Sequence, residues 1–595
     1  MRTIPMILGC SWLVAYAGPA AAWVPCGTDC YQADSCGRDD VQAAIDAALA
    51  AAGGTVRIPD PAADLCEWPA PAQFEISMHP LHIEGRDETT TRIRAPEGAF
   101  DVSGAAGTPW SISHLAILDG PCAGSCDTLF AVGGDSDQWR IHHVRLETTG
   151  ATTRLFRTTG RTAGLIDHVT VRGSTPSEFL TADGDNWPAW KRPLELGSAL
   201  AVYVEDCDIA FTEPWEGRPF DGENGGRMVV RHNTIRNQMV GNHGFDSGFG
   251  ASMLGVVVYE NDFLFDDDEP WASRTWSRFM HLRGGTGIVY RNRFTVGDDL
   301  WIGTPAIDLA IYRTPTDAGG NEHWLPCDGT PLRLCSNIDR AWTVLHGDHP
   351  ESCAADQDCV DNVGPGTTCQ WMFCSESRLE LCDRDEDCPA GETCSAYLDG
   401  TGESGYPCFM QPGFATQMQP YPWFEWDNTW TGGQGGSACG SPPCDVDFAE
   451  DVPQLAENRD YFNDVPTGTT LPASCTPYEA FRLSGDDTLY RCESPDSWAL
   501  YYVPFPYPHP LQAGGTPDAD AGADAGADAG AGDDDAPTDG EAGHQDAATG
   551  DTGTGDGNDS GCGCSTSRTS TVPTGGLLLL AITLALVRRR RTARR

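Results

Sequence analysis

The sequence predicts an all-β fold, a right-handed parallel β-helix, on three observations. Seven short segments share one pattern: an apolar or Tyr residue, a spacer, a His, Asp or Asn, then an apolar strand ending. They start at Ile112, Ile141, Ile166, Val204, Val230, Tyr259 and Tyr290, which are 29, 25, 38, 26, 29 and 31 residues apart. Repeats of that length made of short β-rich pieces stack as a solenoid. No helical periodicity separates them, so the coil is built of strands. The third position of each segment forms a polar column of His114, His143, His168, Asp206, His232, Asn261 and Asn292. Stacked strands lie ~4.8 Å apart, so such a column reads as a ladder bonding the turns together and not as a histidine metal column.

Residues 1–22 read as an export signal. Arg2 supplies the charge, an apolar run extends from Ile4 to Tyr16, and Ala20-Ala21-Ala22 precedes Trp23. Export suits the 24 cysteines, since an oxidising compartment lets thiols pair. Cys10 leaves with the signal, and Cys562 and Cys564 belong to the tail, so 24 − 3 = 21 remain. One thiol is therefore left over. Cys207 is the candidate, because the equivalent positions Leu115, Val144 and Val169 are aliphatic, which makes it a buried inert thiol. The others would form ten bridges.

The stretch "DDVQAAIDAALAAAGGTVRIPD" (residues 39–60) reads as a helix and a first strand. Val41, Ala44, Ile45, Ala48 and Leu49 share one helical face, and Gly53-Gly54 ends it. With the repeats, this helix resembles the cap that closes pectate-lyase-like β-helix proteins. The resemblance covers residues 36–326 and 398–511, where "PYPWFEWDNTW" (420–430), "NRDYFNDVP" (458–466) and "YYVPFPYPHPL" (501–511) are similar to the last repeats and C-terminal cap. It implies a fold and not one activity. Trp423, Trp426 and Trp430 read as a sugar platform or as core packing. The β-helix would occupy residues 23–326 and 409–511. Between these lies a cysteine-rich insertion, 327–408, with the copies "CAADQDCVDNVGPGTTCQWMFC" and "CDRDEDCPAGETC". Without CxxC pairs it reads as disulfide-stapled.

Residues 512–560 hold 13 acidic side chains and no Lys or Arg, which predicts a solvated, disordered spacer. The net charge of −48 argues against nucleic acid as a partner. Residues 561–595 join "GCGC" to an apolar run, Gly575 to Val587, and a basic end, Arg588 to Arg591. This predicts a short transmembrane helix with a cytoplasmic arginine tail. The segment resembles the C-terminal sorting signal of myxobacterial surface proteins. That resemblance implies a sorting protease, processing at Gly561, Cys562 and Cys564, and anchorage at the cell surface or outer membrane.

The candidate site comes from strand alternation. Taking Leu129, Leu155, Leu194, Phe220, Val240 and Met280 as inward anchors, the outward pairs are Phe130 with Val132, Phe156 with Thr158, and Glu195 with Gly197. Asp221 with Glu223, Gly241 with His243, and His281 with Arg283 follow. The face changes from apolar to ionisable along the stack. Asp221, Glu223 and Glu195 would take a cation, and the resemblance to lyases of this fold implies Ca²⁺. His243 or Arg283 would abstract a proton with His281 alongside, and Asp246 would orient the imidazole. "NHGFDSG" is similar to the histidine-glycine motif of polygalacturonases, although the Asn-Thr-Asp and Arg-Ile-Lys motifs are absent. Two functions are expected: an enzyme on polysaccharide, lyase or glycoside hydrolase, or a non-catalytic surface adhesin that binds glycan or a partner.

Overall fold

Two sheets made largely of parallel strands carry the chain. The computed structural model describes residues 22–513 apart from short stretches between strands, among them 121–127, 213–219, 246–250 and 266–274, and most of 312–406. The described residues fall in one compact unit, 1–315 with 324–528. The signal, the acidic spacer, the apolar run from Gly575, and Gly561, Cys562 and Cys564 lie outside them. Among the described residues no helix is long and apolar enough to cross a membrane.

One sheet has 22 strands and the other has ten, all parallel in the second. In the ten-stranded sheet Phe74, Phe100, Phe130, Phe156, Leu180, Phe220, Val240, Met280, Ile307 and Phe448 are register partners in one column. This column and the inward residues of the larger sheet form a single core. Helix Arg38–Ala50 buries Val41, Ala44, Ile45 and Ala48 against that core, as its sequence predicts, and Leu49 packs on partly buried.

The turn column is present, displaced by one residue at its C-terminal end. Arg231 pairs with Tyr259 and Tyr259 with Tyr290. The equivalents of His232 are therefore Glu260 and Arg291, and Asn261 and Asn292 align with Asn233. Two columns result. The first is His114, His143, His168, Asp206, His232, Glu260, Arg291 and Asp427, every one with φ between 51° and 58°. The left-handed region disfavours such residues, so one turn shape is being imposed on eight repeats. The His114, His143 and His168 rings stack 5.1 and 4.8 Å apart, nearly parallel, as turn packing and not as chelation. The sequence pattern aligns Tyr259 and Tyr290 with Val230, one residue out of register with the strands. They face outward, stacked on each other at 4.6 Å and on Trp426 at 4.7 Å.

The second column is a buried amide ladder. Asn233 Oδ1 accepts from the Cys207 amide at 3.0 Å, and Asn261 Oδ1 accepts from Asn233 N and Nδ2 at 3.0 and 2.9 Å. Asn292 Oδ1 accepts from Asn261, and Asn428 Oδ1 from Asn292, in the same way. Each Nδ2 also donates to main-chain carbonyls, Val230 and Tyr259 in the case of Asn261. These are turn groups that the sheet ladders leave over.

Six disulfides join described cysteines. Cys26–Cys30 and Cys36–Cys66 pin the N-terminal end, and Cys475–Cys492 ties the segment before strand Ala480–Leu483 to strand Leu489–Ser494. Cys382–Cys394 closes the second copy in the insertion, and Cys374–Cys388 ties the end of the first copy to it. Cys327–Cys408 closes the insertion at its base. Cys207 is free and buried, and burial pushes its thiol well above the ordinary range.

Residues 501–511 do not act as an end cap. Beyond strand Ser497–Tyr502 the chain runs back along the outer face of the larger sheet. Arg231, fully buried, pairs with Glu205 at 2.6 Å and donates to the Phe505 and Pro506 carbonyls. Tyr507 stacks on His232 at 3.6 Å and bonds Asp206. Arg140 holds the Leu511 and Gln512 carbonyls. The tryptophans of 420–430 are core: Trp423, Trp426 and Trp430 are 0%, 4% and 2% exposed, which leaves no sugar platform.

Two outcomes follow from this packing. Asn261→Ala removes two donors and an acceptor serving buried groups, and should cost roughly 2–4 kcal/mol in chemical denaturation; a cost under about 0.5 kcal/mol would discard the ladder. Thiol labelling of unfolded, unreduced protein should modify Cys207, and a second labelled site among the cysteines of residues 23–511 would contradict the pairing.

Candidate functional site

The ten-stranded sheet has an outward face, and its chemistry changes along the stack. In register order, one outward column reads Arg157, Thr181, Asp221, Gly241, His281, Asp308. Alternation places Asp183 and Glu223, paired across adjacent strands, on the same face. The expected pairs at Asp221 and Glu223, at Gly241 and His243, and at His281 and Arg283 are therefore neighbours on consecutive strands.

The three other expected pairs, at Phe130, Phe156 and Glu195, are not on this face. Phe130 and Phe156 are themselves in the core column, so those strands were read one residue out of phase and Val132 and Thr158 also point inward. The adjacent repeats carry Leu129 and Leu155 one position earlier, and both are apolar enough to look like anchors. Leu194 is not in this sheet. The strand at that level is Glu178–Asp183, and Glu195 sits in a turn with φ 47°. Asp246 lies outside the described residues.

Two histidine–carboxylate pairs occupy the face. His243 Nδ1 is 2.7 Å from Asp221 Oδ2 and 3.8 Å from Glu223 Oε2. His281 Nδ1 is 2.7 Å from Asp308 Oδ2, and Arg278 contacts both members of that pair. Asp308, Asp183, Glu178 and Arg278 were missed. Ile307-Asp308-Leu309 repeats the apolar–polar–apolar signal of Met280-His281-Leu282 and could have been found by extending the register one strand.

The main chain fixes the imidazole of His243. Its amide donates to the Gly222 carbonyl at 2.8 Å, and its carbonyl accepts from Met253. Asn242, fully buried, accepts from the Arg283 amide at 2.5 Å and donates to the Gly284 carbonyl at 3.0 Å. Strands Val240–Gly241 and Met280–Leu282 are thereby locked together. His243 keeps 14% of its side chain exposed, whereas Asp221, His281, Arg283 and Asp308 are 5% exposed or less.

Burial dominates the electrostatics. It raises Asp308 to about 6 against the opposing pull of Arg278 and Arg283. It raises Glu178, with Asp221 adding and Arg154 opposing, and raises Asp183 against Arg157. Glu223 is raised to about 10, by burial first and then by Asp183 and Asp221.

The donor set does not fit a cation. Glu195 is absent from the face, and Arg154 and Arg157 already pair with Glu178 and Asp183. Among the described residues the one trio of ligand atoms close enough to share an ion is Cys374, Cys382 and Cys388, and these are in disulfides. A shallow groove of about 510 Å³ lies elsewhere, on the larger sheet, lined by Arg94, Arg145 and Arg172. Each of these arginines has a carboxylate partner, so none of the three offers a free cation to a ligand.

In comparisons with known proteins, no family model, no curated protein and no solved structure matches this chain.

One pH outcome follows. Asp308 binds its proton more tightly folded than unfolded, so the stability this confers is full below about pH 4 and is lost as pH rises through about 6. Asp308→Asn cannot titrate. The stability gap between variant and wild type should move in the variant's favour from pH 4 to pH 7, and a gap that stays constant would contradict the assignment.

Proposed function

We propose that the protein is a right-handed parallel β-helix, exported and anchored at the cell surface, that acts on polysaccharide as a lyase. The parallel registers, recurring turn residues and N-terminal helix support the coil. The export signal, acidic spacer and Gly-Cys-Gly-Cys tail support display, with a sorting protease and the membrane as partners.

The observation that carries the activity is the presence of two histidine–carboxylate pairs, with Arg278 and Arg283, on four consecutive strands. A lyase needs a base for the proton beside a uronate carboxyl and a positive group to quiet that carboxyl as the carbon loses its proton. His243 held by Asp221 is the base. Arg283 and Arg278 are the cations, so this chemistry needs no Ca²⁺.

The low exposure of His281, Asp308 and Arg283 favours a second reading, a glycan-binding surface module whose charges serve packing. Incubation with polyuronates and neutral glycans separates the two. The lyase gives unsaturated, ultraviolet-absorbing ends, a hydrolase gives reducing ends without them, and a module gives neither but binds on a glycan array. His243→Ala and Asp221→Asn should each slow turnover about 10²–10⁴-fold at unchanged melting temperature. Turnover surviving both substitutions would remove these residues from the mechanism.

A further inference from the structure

Asp183 and Glu223 are partners on adjacent parallel strands, on the same outward face, 5% and 8% exposed. Arg157 donates to Asp183 Oδ2 at 3.1 Å. The other oxygen, Oδ1, is buried with no donor among the described groups, yet the Glu223 carboxyl lies in hydrogen-bonding contact with Asp183. Two carboxylates offer acceptors only, so this contact is repulsive unless one of them carries a proton.

The surroundings decide which one does. Asp183 faces Arg157. Glu178 on the same strand faces Arg154 at 2.5 Å, and Asp221 faces His243 at 2.7 Å. Glu223 has no Lys or Arg within 4 Å among the described residues, and its nearest cation-forming group is His243 at 3.8 Å. We infer that Glu223 is a neutral carboxylic acid at neutral pH, that it donates its proton to Asp183, and that it is the proton donor of the site. Burial and the three neighbouring acids hold that proton in place up to about pH 10.

The donor role rests on the lyase reading; the protonation does not. In the elimination, His243 takes the proton from the carbon beside the uronate carboxyl. The C–H electrons become the new C=C bond, the neighbouring C–O bond breaks, and the departing oxygen takes the Glu223 proton. Exchange with water then resets both residues. One site thus holds an acid and a base set apart by their partners: Glu223 leans on a second carboxyl with no arginine of its own, and His243 leans on Asp221.

Infrared difference spectra of the purified mature protein test this, comparing wild type with Glu223→Gln at pH 7. A protonated carboxyl C=O band should be present in wild type and lost in the variant; its absence in wild type overturns the inference. In Asp183→Asn the band should vanish at lower pH than in wild type, and an unshifted midpoint would separate Glu223 from Asp183. Melting temperature gives an independent readout. A carboxyl whose folded value is raised loses stability as pH climbs above its unfolded value, so Glu223→Gln should gain on wild type between pH 5 and pH 9. A constant difference counts against the proposal. On a glycan that wild type cleaves, Glu223→Gln should lower turnover at least 100-fold; full turnover in a variant that has lost the wild-type band would overturn the donor role alone. If wild type cleaves nothing, the infrared result still decides the protonation.

Discussion

Main-chain amides left over at the turns of stacked strands must be satisfied, and here a column of buried asparagines satisfies them. Asn233, Asn261, Asn292 and Asn428 each accept from the amide of the repeat before and donate to main-chain carbonyls, so each repeat is bonded to the next at a point the sheets do not reach. A slip of one residue would break these bonds and turn every core side chain outward. The ladder therefore fixes register as well as stability. Register in turn places Phe220, Val240, Met280 and Ile307 inward and Asp221, His281 and Asp308 outward.

The site is a consequence of that constraint. Strands ~4.8 Å apart carry ionisable side chains on one face, where they crowd and lose water. A buried charge without a partner costs several kcal/mol, so each carboxylate is drawn to a cation. Arg154, Arg157 and Arg278 meet Glu178, Asp183 and Asp308, and His243 meets Asp221. Glu223 is left without one, and there a proton takes the cation's place.

Much of this was legible in the sequence. The repeat spacing, the helix with its buried Val41, Ala44, Ile45 and Ala48, the free Cys207 and the outward placement of Asp221, Glu223, His243, His281 and Arg283 all follow from alternation and periodicity. The failures have physical causes. Tyr259 and Tyr290 are apolar enough to pass for core while facing a second cluster under the C-terminal segment. Leu129 and Leu155 flank the Phe column and mask its phase. Glu195 was drawn in because Leu194 mimics an anchor, while the true strand, Glu178–Asp183, lies before a short helix that lengthens this repeat. The return path of residues 503–512 depends on Arg231 and Arg140, whose partners are far away in sequence and invisible to any local pattern.

Register is the claim on which the rest depends, and engineered cysteines read it directly. Asp101 and Ala131 are register partners on the outward face of the ten-stranded sheet. In-register strands place their Cα atoms ~4.8 Å apart, within disulfide range, while a two-residue offset adds ~6.6 Å along the strand and exceeds it. Asp101→Cys with Ala131→Cys should oxidise to a bridge, and Ser103→Cys with Ala131→Cys should not. Bridging in the second pair and not the first would mean that the strands, and with them the two histidine–carboxylate pairs, are not aligned as described.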